Sequence, residues 1–223
     1  MPSKPNILII GQSGAGKSNS LEGLIKKYPQ RVALIDFERK GFPFLFDISK
    51  LGMFIEVDDY TLSLQEMTKV KASKCDIVVY DSFTKFCEMA REYCKTKYSG
   101  WDIWNGYNSA IRKFLDFNKS MERLVIVTAI DEVVYVEQAE GSRLSRLRCF
   151  VQGKEFEGKL EKEFLVVVFV TARKGKDGKI GHFFAPHTDG LTSAKCPQWL
   201  ALPDQMPNDV SVIVDKLLEA KVI

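Results

Sequence analysis

The residues Gly11-Gln12-Ser13-Gly14-Ala15-Gly16-Lys17-Ser18 follow the apolar run Asn6-Ile7-Leu8-Ile9-Ile10 and read G-x-x-x-x-G-K-S, a spacing whose chemistry is phosphate binding. Glycines let successive backbone N–H groups turn inward around an anion, Lys17 reaches the outer phosphates, and the Ser18 hydroxyl is placed to ligate Mg²⁺. Asn19 completes the nucleotide-binding set, Gly11 to Asn19. A helix expected over Ser18–Lys27 aims its positive end at the same anion. The pattern predicts binding of a nucleoside triphosphate, ATP with Mg²⁺.

Two further stretches carry acids that such a site uses. Asp76-Ile77-Val78-Val79-Tyr80-Asp81-Ser82 is an apolar strand ending in an aspartate, the Walker B arrangement, in which Asp81 holds Mg²⁺ through water. Hydrolysis also needs a group that orients or deprotonates water. Ala33-Leu34-Ile35-Asp36-Phe37-Glu38 supplies two candidates: a strand ends at Asp36, and Glu38 lies two residues on, on the same side of an extended chain.

These residues require a scaffold that brings strand ends together. Apolar runs alternate with longer helical patterns through the first two thirds of the chain, the signature of a mostly parallel sheet with helices on both faces. Strands are expected over Asn6–Ile10, Arg31–Ile35, Met53–Val57, Asp76–Tyr80 and Leu124–Thr128, and helices over Ser18–Lys27, Leu62–Ala72, Phe83–Lys97 and Tyr107–Ser120. Tyr28-Pro29 ends the first helix, and Asp58-Asp59 offers caps for the second. From about Val133 the pattern changes to hairpins: Val133–Val136 against Leu147–Val151, then Phe164–Thr171 against Ile180–Phe184, the latter turning at Asp177-Gly178. Asn208-Asp209 should cap a final helix over Val210–Ala220. The expected organisation is one α/β domain over residues 1–223, with a core to about residue 132 and hairpin embellishments beyond it.

Composition narrows the class. With 223 residues, 45% hydrophobic and 27% charged, the chain can bury a substantial core. Its apolar runs, such as Phe164 to Val170, are far shorter than a membrane span, and Met1-Pro2-Ser3-Lys4-Pro5 leads straight into the first strand, so the expectation is a cytoplasmic protein without membrane contact. Five cysteines form no C-x-x-C pair, which argues for reduced, buried thiols over disulfides or zinc. The net charge of +3 names no partner. Between Arg143 and Lys176, however, nine basic residues face four acidic ones, so the basic character is local.

Taken in order, Gly11 to Ser18, Ile35-Asp36-x-Glu38 and Asp76 to Ser82 resemble the RecA-like recombinase ATPases. The resemblance implies a RecA-like P-loop core in which Glu38 is the water-activating base and Lys17 its catalytic companion, with Asp36 the second candidate base. It extends over roughly the first 130 residues. Leu124 to Ala129 resembles the family strand that ends in a polar γ-phosphate sensor; Ala129 stands where RecA has a glutamine, which leaves Thr128 as the sensor candidate. Val170 to Lys176 is similar to the stretch whose Lys-x-Lys pair, here Lys174 and Lys176, reaches a neighbouring subunit's triphosphate, which implies a homo-oligomer. A solvated hairpin tip is the alternative. In its small size and in Asp81-Ser82, Thr128-Ala129, Gly153-Lys154 and Ser193-Ala194-Lys195, the chain resembles compact RecA-like ATPases of bacteriophages, some of which anneal single-stranded DNA beside a single-strand-binding protein; it would then work in the host cytoplasm.

The Val133–Val151 hairpin takes the place of the family's DNA-binding loop and carries Arg143, Arg146 and Arg148, candidates for gripping a phosphate backbone. Trp101, Trp104 and Tyr107 either stack bases or pack between helices. Other classes are open. A P-loop kinase would need an acceptor pocket and an arginine-bearing lid, which no motif marks. A GTPase would read guanine with N-K-x-D, but Asn118-Lys119-Ser120-Met121 lacks the aspartate. A nucleotide-gated interaction module without nucleic acid fits the modest net charge.

Overall fold

The computed structural model describes residues 4–137, 143–175 and 178–223. The chain runs β1 (Asn6–Ile10), α1 (Glu22–Lys27), β2 (Val32–Asp36), β3 (Met53–Glu56), α2 (Tyr60–Ala72), β4 (Ile77–Asp81), α3 (Phe83–Lys97), α4 (Asp102–Ser120), β5 (Leu124–Ala129), β6 (Asp131–Glu137), β7 (Arg143–Cys149), β8 (Val166–Lys174), β9 (Ile180–Ala185), β10 (Met206–Pro207) and α5 (Ser211–Glu219). An eight-stranded sheet has the order β10-β9-β8-β1-β5-β4-β2-β3, and β6-β7 forms a separate two-stranded ribbon. The strands from β8 to β3 pair in parallel; β9 and β10 add an antiparallel edge. This is the α/β architecture with C-terminal antiparallel strands that the sequence predicts.

Strand parity explains the layers. Leu8, Ile10, Ala33, Ile35, Val78, Tyr80, Val125 and Val127 pack with residues of α2, α3 and α4. Their neighbours Ile7, Ile9, Val32, Leu34, Ile77, Val79, Leu124 and Ile126 pack with α1 and α5. Side chains alternate across a strand, so strands covered on both faces must be apolar at every position; β2, β4 and β5 are indeed buried throughout.

Several boundaries shift for local reasons. The expected helix over Ser18–Lys27 begins as a 3-10 turn, Ser18–Leu21, and becomes α only from Glu22. The Ser20 carbonyl accepts the Val210 N–H at 3.0 Å, and the Ser20 hydroxyl donates to the Lys17 carbonyl at 2.6 Å. Helix α4 starts at Asp102, five residues before Tyr107. There Tyr107 is fully buried, Trp104 packs edge-on to it with the Arg91 guanidinium over its ring, and Trp101 is exposed. Asn118, read against the guanine motif, is a core residue: its amide oxygen accepts the Tyr80 hydroxyl at 2.8 Å and its NH₂ donates to the Phe114 carbonyl at 2.9 Å. Among the described residues no helix is long and apolar enough to cross a membrane.

Candidate functional site

Parallel register collects the functional residues at one edge of the sheet. Ile10 lies beside Ala129, and Asp36 beside Asp81, so the carboxyl ends of β1, β2, β4 and β5 meet where open α/β sheets bind ligands. The junctions are sealed by backbone bonds, Gly11 N–H to the Ala129 carbonyl (3.2 Å) and Phe37 N–H to the Asp81 carbonyl (2.8 Å). A cleft of about 640 Å³ opens at this edge, lined among others by Ser13, Lys17, Ser18, Glu38, Lys40 and His182.

The loop after β1 turns at Gln12–Ala15 through an Ala15 N–H to Gln12 carbonyl bond of 3.1 Å. Gly14 and Gly16 hold φ of +77° and +102°, the region that favours glycine. At Gly16 a side chain is excluded twice over, since a Cβ there would meet the Asn208 amide nitrogen at 2.9 Å and the His182 ring at 3.3 Å. The Lys17 ammonium donates to the carbonyls of Gly11 (2.7 Å) and Gln12 (2.9 Å). Burial pushes its pKa below the ordinary 10.5, against the attraction of Asp81, Glu38 and Asp131. An anion brought to this ammonium replaces neutral carbonyls with a charge-assisted partner.

Asp81 is 3% exposed and accepts the Thr128 hydroxyl. Burial raises its pKa, and the neighbouring Thr128 and Ser18 hydroxyls oppose the rise. Ser18 and Asp81 are hard oxygen donors side by side, the donor type that suits Mg²⁺. No three His, Cys, Asp or Glu side chains converge as a metal cage among the described residues; Mg²⁺ here fits the mode in which water and substrate phosphates complete the coordination. Thr128 is fully buried with its hydroxyl on Asp81. It braces the aspartate, and the adjacent Ala129 is also fully buried.

The expectation that Asp36 and Glu38 share one side of an extended strand is corrected. The strand ends at Asp36, whose Oδ1 accepts the N–H groups of Glu38 (2.9 Å) and Arg39 (3.0 Å). This Asx turn, with Arg39 at φ +51°, takes the chain out of its extended course. Asp36 is 2% exposed, so it shapes the turn while Glu38 projects into the cleft. Glu38 Oε1 accepts the Ser82 hydroxyl at 2.8 Å, and Oε2 pairs with the Lys40 ammonium. Burial raises the Glu38 pKa, but the bonds from Lys40 and Ser82 outweigh it and hold the carboxyl below its ordinary range.

Sequence reasoning missed the outer wall. Asn208 donates to the Gly16 carbonyl at 2.8 Å, and His182 of β9 lies against the same glycine. Neither has a motif around it; both arrive by tertiary packing of the C-terminal segment. Asn208 was expected only as a helix cap, and it is Asp209 that accepts the Ser211 N–H, at 2.9 Å.

The basic candidates separate. In the ribbon Arg148 is opposite Glu132 and Arg146 opposite Val134. Arg148 is only 13% exposed and donates to Glu132 (3.0 Å) and Glu157 (2.8 Å). Its charge is spent within the protein, which removes it from the phosphate-gripping set. Arg146 is exposed, with one long contact of 3.4 Å to the Thr192 carbonyl. Arg143 is in backbone register with Glu137, and its side chain lies outside the described residues. Lys174 is exposed at the end of β8; Lys176 lies outside the described residues.

Residues 3–198 match the family described as AAA domain. The comparison with curated proteins returned no match. Among solved structures, the chain is similar to a KaiC-like protein from the hyperthermophilic archaeon Pyrococcus horikoshii OT3, at 13% identity and a TM-score of 0.51 over 82% of this chain and 78% of that one. At that identity the likeness is one of fold.

Proposed function

Because the chain belongs to the AAA domain family of P-loop ATPases, we propose that it hydrolyses ATP at the β1–β2–β4–β5 edge and uses the cycle to act on single-stranded DNA. The observation that carries the hydrolytic reading is Glu38: a carboxylate fixed by Ser82 at the mouth of the cleft that Lys17 and Ser18 line. Lys17 binds the outer phosphates, and Ser18 and Asp81 hold Mg²⁺, which neutralises charge on the phosphate oxygens when bound. Glu38 orients a water and takes its proton as the water oxygen bonds to the terminal phosphorus; the bond to the bridging oxygen breaks and its electron pair leaves with ADP.

The DNA reading rests on the ribbon beside the phosphate loop, where Arg146 on one face and Tyr135 on the other are exposed, a cation and an aromatic ring of the kinds that contact single strands. It extends to a role in phage-type recombination or annealing with a single-strand-binding protein, and to a homo-oligomer in which Lys174 reaches a neighbour's triphosphate. Two observations favour a second reading, a nucleotide-gated interaction module: Arg148 is neutralised, and Ala129 offers no polar group to report the γ-phosphate. ATP turnover with and without single-stranded DNA separates the two. Stimulation is the expected result; turnover indifferent to DNA, with no DNA retained, selects the module.

A further inference from the structure

Glu38 has both carboxylate oxygens engaged, Oε1 by Ser82 and Oε2 by Lys40. Each oxygen keeps a further lone pair that a water could donate to, but an ammonium paired to Oε2 lowers the basicity that proton abstraction needs. Ser82 is fully buried and caps α3, so its hydroxyl is fixed. The Lys40 side chain is 61% exposed, on a flexible four-carbon stem. Its backbone is held on both flanks, upstream by the Asx turn at Asp36 and downstream by the tilted aromatic cluster of Phe42, Phe44 and Phe46, with centroids 5.4–5.6 Å apart. Only the side chain has to move, and it lines the same cleft as Lys17 and Ser18.

We propose that Lys40 exchanges partners: it holds Glu38 in the nucleotide-free protein and transfers its ammonium to the terminal phosphate of a bound triphosphate, which frees Glu38 Oε2 for water. This rests on reading Glu38 as the base. The driving force is charge, since a terminal phosphate carries more negative charge than one carboxylate and offers several acceptor oxygens. A diphosphate lacks that group, so Lys40 stays on Glu38 and the base stays quenched. The same lysine thereby discriminates triphosphate from diphosphate and confines an uncovered base to the loaded site.

The test is calorimetric titration of the full chain with Mg²⁺ and either ADP or the β,γ-imido analogue of ATP, for the wild type, Lys40→Met and Lys40→Arg. Because the side chain is exposed, Lys40→Met should fold normally, which a thermal melt checks. Losing one charge-assisted contact should weaken the analogue about tenfold and ADP less than about twofold, and arginine should restore most of the difference. ATP turnover by Lys40→Met should fall. Equal losses for both nucleotides, or none for either, would overturn the exchange, as would a rise in turnover at unchanged analogue affinity, which makes Lys40 a restraint alone. Glu38→Gln turning over normally would overturn the base assignment, and with it the release of Glu38; the affinity ratio would still report the phosphate contact.

Discussion

The carboxyl edge of the parallel sheet and the β6–β7 ribbon beside it both gather charge, and they treat it in opposite ways. At the edge, Lys17, Asp36, Asp81 and Glu38 are buried or half-buried, Lys17 and Asp36 fixed by hydrogen bonds within their own loops and Asp81 and Glu38 by bonds to the ends of adjacent strands. In the ribbon the two arginines whose side chains are described divide, one locked between carboxylates and one exposed. A motif embedded in a parallel sheet has its geometry imposed by the core, so spacing in the sequence translates into a site. A charge run on a two-stranded ribbon has no such frame, and cross-strand neighbours decide which charges remain available.

The largest effect is expected at the sheet edge. Lys17→Ala should weaken ATP binding by about 100-fold, because it removes the buried cation aimed at the outer phosphates. Titration calorimetry checks it, and unchanged affinity would remove the phosphate-loop reading. In the ribbon, Arg148 and Arg146 are replaced separately. Arg148→Ala should lower stability by about 1 kcal/mol, since Glu132 and Glu157 lose their partner, while leaving the salt dependence of single-strand binding unchanged. Arg146→Ala should leave the melting temperature alone and lower the salt slope by about 0.7. If both variants moved the slope equally, the division between locked and exposed arginines would fail.

A smaller effect is expected from Asn208, whose contact links the C-terminal segment to the phosphate loop. Asn208→Ala leaves the Gly16 carbonyl without its side-chain partner and should weaken ATP binding a few-fold, with a stability loss of about 1 kcal/mol. Affinity equal to the wild type would mean that the loop holds its shape without the clamp. The proton balance supplies a subtler check. Burial holds the Lys17 pKa below 10.5, and an anionic ligand raises it, so between the free and bound values ATP binding takes up a proton. Calorimetric enthalpies at alkaline pH should therefore vary with the ionisation enthalpy of the buffer, and Lys17→Met should abolish the variation.

The parts of this protein legible in its sequence are those set by local rules. Continuous apolar strands, Pro29 after α1 and Asp59 capping α2 through the Leu62 N–H at 2.9 Å follow from burial and capping chemistry. So does the convergence of Gly11, Asp36 and Asp81, because parallel strands place their ends together. The remainder depends on contacts distant in sequence. The 3-10 start after Lys17 reflects Val210 bonding to Ser20, and the wall of His182 and Asn208 is brought to Gly16 from the last quarter of the chain. The turn at Asp36 was hidden for a different reason: the same aspartate that ends a strand also accepts two backbone N–H groups, and the alternation rule holds only while the chain stays extended.

We propose that Glu38, held at the cleft by Ser82, activates water against ATP bound on the Lys17 loop. Single-turnover hydrolysis of ATP by Glu38→Gln, measured beside its ATP affinity, tests it most directly, because glutamine keeps the shape and the acceptor for Ser82 but loses basicity. ATP binding at least as tight as in the wild type and a hydrolysis rate lower by about 10² or more are expected. A rate near the wild type's with ATP still bound would contradict it and move the base elsewhere on the sheet edge.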